Sequence, residues 1–182
     1  MRKKSIYKYA SEAGLPAGLY LTLMSFCVLL SIKVAALPLL LIPLLLGFPV
    51  LLWALLKKIS REEPSYNKFS SLWLGGIYTV IFGSLICLFV SAFYVVIYEP
   101  NFVYQYVMNA LNAAETSPMA SEYSTTIEVM HNAINAHILP SAMEFLTTMA
   151  WFTCFGGSIL SLLIAFIIVK SGKEVPSREI SI

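Results

Sequence analysis

The chain is 182 residues long, 58% hydrophobic and 12% charged, with a formal net charge of +2 and no aspartate anywhere. This composition excludes a compact soluble domain, places the chain among membrane proteins and marks no nucleic-acid partner.

Each crossing of a bilayer core about 30 Å thick takes roughly 20 apolar residues. Four segments supply them: about 14–32, 34–56, 72–98 and 141–169. The expected fold is all-α, a polytopic membrane protein with four transmembrane helices. It forms one membrane domain over residues 1–182, with a short helical hairpin over 99–140, between the third and fourth spans.

From Gly14 to Leu56 the only charge is Lys33, which divides that run into two helices joined by a tight turn. Val34-Ala35-Ala36 offers small residues of the kind a signal peptidase accepts. The apolar run before it is too long for a signal, however, and another span follows directly. The first span carries Ala10, Gly14, Gly18 and Thr22 at four-residue spacing. Because lipid gives no hydrophobic push between helices, such small residues mark places where backbones approach closely.

The second span is mostly leucine, with Pro38, Pro43 and Pro49. Pro38 suits a first helical turn. Pro43 and Pro49 each remove a backbone donor and should kink the helix. No polar side chain accompanies the break, so a bent, lipid-facing helix is expected. The third span has Gly76 and Gly83, then Ser84, Cys87 and Ser91; the fourth has Gly157, Ser161 and Ala165, again every four residues. These stripes are expected to pack on one another within the chain.

Cys27, Cys87 and Cys154 fall in three different spans and read as small packing residues, not as a disulfide framework. The cores of the spans hold no ionisable side chain, which argues against an ion-coupled pump. A pore lined by Thr22, Ser25, Ser84 and Ser91 stays open, although such hydroxyls more often bond across helices or to their own backbone.

Basic residues cluster in three places: Arg2, Lys3, Lys4 and Lys8; then Lys57, Lys58, Arg61 and Lys68; then Lys170, Lys173 and Arg178. Between Phe69 and Val169 there is none. Basic loops stay cytoplasmic, so both termini are expected inside and residues 99–140 outside. Lys33 lies 20 residues from Trp53, a rise of about 30 Å, which places it at the outer interface.

In the outer segment, Val103, Val107, Leu111 and Ala114 recur at helical spacing, and Thr116-Ser117-Pro118 breaks the pattern. A second helix is expected from Thr125, with Glu128 completing a capping box. Its apolar face is Ile127, Met130, Ile134 and Ile138. Pro140 then begins the extension of the fourth span. Glu128 and His131 share a face of this helix, but His137 points about 120° away, so one helix cannot offer both histidines to one ion. Di-iron bundles use paired Glu-x-x-His motifs, and here there is one copy. Glu99, Glu115, Glu122 and Glu144 could converge, but their spacing does not require it. No metal or cofactor is expected.

The stretches "YNKFSSLWLGG", "GSLICLFVSAFYVVIYEPNF" and "IIVKSGK" resemble a bacterial inner-membrane family known as domain of unknown function 4199. The likeness covers about 66–173, with a weaker echo in the basic start and first helix; the proline-rich second helix departs from it. It implies four helices with an outer segment between the third and fourth, and it brings no activity or functional residue.

The expected function is a non-enzymatic accessory or assembly subunit in the bacterial envelope. It would contact the lipid bilayer and another membrane protein or its own copies. The alternatives are a small oligomeric pore or carrier, and an envelope metal sensor or enzyme using Glu128 and His131.

Overall fold

Four helices in the computed structural model are long and apolar enough to cross a bilayer: α1 (Ile6–Leu29), α2 (Leu37–Glu62), α3 (Phe69–Tyr98) and α6 (Ala142–Gly172, its span ending at Ser171). Two shorter helices, α4 (Phe102–Glu115) and α5 (Ser124–Asn135), form the hairpin between α3 and α6. The structure describes residues 5–34, 36–62, 66–117, 123–136 and 138–172, among which there is no strand. Arg2, Lys3, Lys4, Ala35, Pro118, Glu122, His137, Lys173 and Arg178 lie outside the described residues.

The helix ends differ from the expected bounds for visible reasons. Helix α1 starts at Ile6, not near residue 14, because its first turns pack on α3 and on the segment just before it. The Tyr7 and Tyr78 rings meet edge to face at 4.8 Å, and Tyr9 meets Tyr66 at 6.2 Å. At its far end α1 gives way at Leu30 to a 3-10 turn over Leu30–Ile32. Helix α2 runs past residue 56 to Glu62. In that extension Lys57 lies 4.3 Å above the Trp53 ring, and Lys58 pairs with Glu62 one turn on.

The bundle centres on α3, which packs against α1 on one side and α6 on the other. Small residues set both seams. A Cβ on Gly14 would stand 2.6 Å from Phe82 Cβ, and one on Gly18 would stand 2.9 Å from Ile86 Cβ. A Cβ on Gly83 would come within 3.1 Å of the Gly18 backbone nitrogen. On the other seam, a Cβ on Gly76 would stand 2.6 Å from Ser161 Cβ, and one on Gly157 2.5 Å from Val80 Cγ1. Ala165 and Ser161 are fully buried. All seven residues therefore lie at contacts inside this chain.

Helix α2 is packed over only half its length. Phe48, Leu52, Leu56 and Ile59 are buried with Leu72, Val80, Ile164 and Ile168 in a core at the end bearing the basic loop. From Leu37 to Gly47 no residue is buried. Pro43 and Pro49 lie inside the helix, one on each side of this change. A polar group does accompany the break, supplied from another helix: Tyr20 of α1 donates its hydroxyl proton to the Leu44 carbonyl at 2.7 Å. Gly47 leaves room for it, since a Cβ there would collide with the Tyr20 hydroxyl. Tyr20→Phe is expected to lower stability by about 0.5–1.5 kcal/mol. It should also speed amide exchange around Leu44 to Phe48, measured by hydrogen exchange in mild detergent.

The start of α6 also corrects the expectation. Pro140 is not helical, and α6 begins at Ala142 behind a capping box. Ser141 N donates to Glu144 Oε2 at 2.8 Å, and Glu144 N donates to Ser141 Oγ at 3.2 Å. The capping box expected at Thr125 and Glu128 is absent. Thr125 falls inside α5, which begins at Ser124, and no side chain caps that helix.

Candidate functional site

At the hairpin end of the bundle, above the packed core, lies a cavity of about 460 Å³. Helix α1 contributes Leu21, Met24 and Ser25, α3 contributes Ser84, Cys87 and Ser91, and α6 contributes Met149, Ala150 and Thr153. Helix α2 adds Leu41 alone, and Tyr106 of α4 lies over the end nearest the hairpin. The cavity exists because the two hydrophobic clusters of the bundle do not meet. One fills the basic-loop half; the other, of Leu29, Val95, Phe102, Val103 and Leu146, fills the hairpin end. Between them the outer half of α2 fails to close in.

Hydroxyls at helix interiors usually find a partner in their own backbone four residues back. Thr22 does so with Gly18, Thr79 with Gly75, Thr153 with Met149, and Ser161 with Gly157, all at 2.7–2.8 Å. Ser25 and Ser91 bond each other across the α1–α3 seam at 2.8 Å, and Cys87 Sγ lies 3.9 Å from Ser91 Oγ. Ser84 does neither. It is 4% exposed, and its Oγ is the buried side-chain polar atom without a hydrogen-bond partner among the described residues. The structure thus brings Ser25, Ser84 and Ser91 to one cavity and leaves Thr22 bonded to its own helix. Composition alone could not select Ser84 from the other hydroxyls, because its distinction is a missing partner.

His131 is engaged with the preceding helix, not with Glu128. His131 Nε2 bonds Glu115 Oε1 at 2.7 Å, tying α5 to the end of α4, while Glu128 is exposed. No group of three or more His, Cys, Asp or Glu side chains among the described residues could hold a metal ion. The apolar face of α5 rests chiefly on α4. Ile127, Met130 and Ile134 are half-buried, no α5 residue is fully buried, and Ile138 lies past the helix end, 73% exposed.

One ion pair ties the hairpin end together. Lys33, in the turn before α2, pairs with Glu99, just past α3. The Glu99 carboxylate, through its hydrogen bond and its charge, holds the Lys33 ammonium proton above the ordinary lysine range. The folded value is raised, so the stabilisation is complete below the unfolded value of about 10.4 and is lost as pH climbs through the folded one. Unfolding midpoints measured from pH 9 upward should therefore fall more steeply for the native chain than for Lys33→Met. The difference should be small, because the Lys33 side chain is largely solvent-exposed.

Four bilayer-length helices, three of which form most of the cavity wall, define a multi-pass α-helical membrane protein. More particularly, the chain belongs to the family described as Protein of unknown function (DUF4199), whose model matches residues 13–170. That match extends the likeness from its start at residue 66 back across the proline-bearing α2 and into α1. No curated protein and no solved structure matches the chain.

Proposed function

We propose that this chain is a non-enzymatic accessory or assembly subunit of the bacterial cell envelope. It sits in the cytoplasmic (inner) membrane, with both termini in the cytoplasm and residues 99–140 in the periplasm. The observation that carries this reading is the lining of the cavity, which holds apolar, hydroxyl and thiol side chains but no carboxylate, imidazole or amine. Such a wall can hold and orient a molecule. It supplies no general base to activate Ser84 or Cys87, which nucleophilic catalysis requires. Three acidic groups near the hairpin are engaged separately, Glu99 with Lys33, Glu115 with His131 and Glu144 with Ser141. The orientation is supported by Lys57, Lys58, Arg61 and Lys68, which adjoin the helix ends opposite the hairpin.

Purification of the tagged chain from its native membrane in mild detergent tests the accessory reading. A membrane protein that co-purifies reproducibly is the expected result, and the bare monomer counts against it.

A second reading, a small carrier or pore, is favoured by the hydroxyls of Ser25, Ser84 and Ser91 on one cavity. Against a water path inside one chain, the half beyond the cavity is filled by Leu52, Leu56, Leu72 and Val80, all 0% exposed. Ser25→Cys, Ser84→Cys and Ser91→Cys, each in a chain without its native cysteines, separate the two. Rapid reaction of these thiols with a charged, water-soluble maleimide supports the pore; inertness removes it.

A further inference from the structure

We propose that the flank of the bundle formed by the end of α2 and the turn into α3 binds an anionic phospholipid, with Arg61 and Lys68 receiving its phosphate. The inference goes beyond the accessory reading and does not rest on it.

Three observations define the site. First, cations gather on one flank. Trp53, Lys57, Ser60 and Arg61 recur at the three- and four-residue spacings that share one side of a helix. Ser60 donates its hydroxyl proton to Asn67 Oδ1 at 3.0 Å. That bond draws the turn before α3 against this side of α2 and sets Lys68, the next residue, near its end. Second, these cations are available. Lys58 and Glu62, each one residue on from Lys57 and Arg61 and so turned about 100° away, pair with each other. Arg61 and Lys68 are exposed and have no ion-pair partner among the described residues. Lys57 is held over the Trp53 ring. Glu63 lies outside the described residues, and its single carboxylate is outnumbered by the three cations. A basic loop that serves orientation alone needs a count of cations, not their collection on one flank. Third, the flank continues as an amphiphile does. Above Trp53 the same stripe of α2 carries Val50 and Leu46, both exposed. From Leu46 to Arg61, a rise of about 22 Å, the surface runs from apolar through aromatic to cationic. An acyl chain, a glycerol backbone and a phosphate follow one another in that order in a phospholipid lying alongside. A soluble anion or an acidic protein would use only the last part. The planar fork of Arg61 suits two phosphate oxygens. A zwitterionic headgroup brings an ammonium that these cations repel, so a net negative headgroup is selected.

The test uses the full chain carrying Trp151→Phe, which leaves Trp53 and Trp73, both at this end, as the tryptophans. It is reconstituted in phosphatidylcholine vesicles with increasing fractions of phosphatidylglycerol or phosphatidylcholine whose acyl chains are brominated and quench a neighbouring tryptophan. Brominated phosphatidylglycerol should bind about fivefold more strongly than brominated phosphatidylcholine, and the preference should shrink as salt is raised. Arg61→Gln combined with Lys68→Gln should bring the ratio close to one. Lys58→Gln, which removes the same charge from the neighbouring face, should leave it within about twofold. Circular dichroism checks that each variant keeps its helices. Equal quenching by the two lipids would overturn the proposal, as would a preference that survives the double variant. A loss with Lys58→Gln as large as with the double variant would show diffuse attraction to a basic end, and loss of the preference in millimolar inorganic phosphate would assign the cations to a soluble anion. Either result removes the lipid site.

Discussion

Gly83→Val is expected to disrupt the α1–α3 seam, costing about 3 kcal/mol, at the upper end of the range for overpacking. The obstacle is backbone: a Cβ on Gly83 would stand 3.1 Å from Gly18 N and 3.3 Å from the Ala17 carbonyl carbon. A flexible side chain can rotate aside, but a helix backbone can yield only by moving the whole helix. Valine adds two further methyl groups to that gap. Helix association in lipid depends on close van der Waals contact, because apolar tails solvate a separated helix as well as a neighbour does. Gly156→Val is the matched control. Gly156 has nothing within 4 Å of its added Cβ, so the change should stay within about 0.5 kcal/mol. Unfolding in mixed micelles of increasing denaturing detergent compares the two, and equal midpoints would contradict the assignment of the seam.

Phe102→Ala is expected to release the hairpin while leaving the spanning helices paired. Phe102 is 1% exposed, at the first residue of α4, with its ring 5.9 Å from Tyr106 and 6.0 Å from Phe145. It joins Leu29, Val95, Val103 and Leu146 in the cluster that seals the cavity from the hairpin side. A buried phenylalanine truncated to alanine costs about 3–5 kcal/mol. Here that loss falls on one short helix, because α5 buries nothing of its own. Hydrogen exchange should therefore accelerate by more than a hundredfold in 102–115 and change little in α1 and α3. Unaltered exchange in α4 would show that the hairpin is held by something other than Phe102.

The two substitutions probe different physics. At Gly83 the contact lies between helices that lipid surrounds, and shape decides it. At Phe102 the contact lies where the chain leaves the apolar layer, and burial from water adds to shape. The same division explains the hydroxyl chemistry. In the α1–α3 seam Ser25 and Ser91 are close enough to pair, whereas Ser84 Oγ is buried without a partner.

Much of this architecture follows from sequence alone. Four long apolar runs, punctuated by Lys33 and the basic loop, can only become four membrane helices, because no other backbone arrangement of such runs satisfies its amides in lipid. Periodicity likewise suffices for the hairpin, since apolar side chains every three or four residues around Val103 to Leu111 require one face to be covered. Helix ends were less legible. Ile6 to Ala13 are helical because Tyr78 of α3 and Tyr66 just before it receive Tyr7 and Tyr9, contacts between residues 71 and 57 positions apart. Thr125-x-x-Glu128 and Ser141-x-x-Glu144 carry the same capping signature, and only the backbone entering each helix decides that the second forms and the first does not.

The cavity belongs entirely to tertiary structure. Pro43 and Pro49 announce a bend in α2, but its direction, the Tyr20 hydroxyl that answers it, and the half-helix it leaves unpacked depend on where α1 and α6 stand. A serine in an apolar run reads the same whether it bonds its own carbonyl, bonds a neighbour or is buried without a partner. Which of these holds is set by the distance to the next helix, and that distance is the sum of every small residue along the seams. Local sequence determines the helices and their apolar faces, because those depend on residues a turn apart. Ser84 acquires its unpaired hydroxyl only when three helices from distant parts of the chain close around it and the fourth does not.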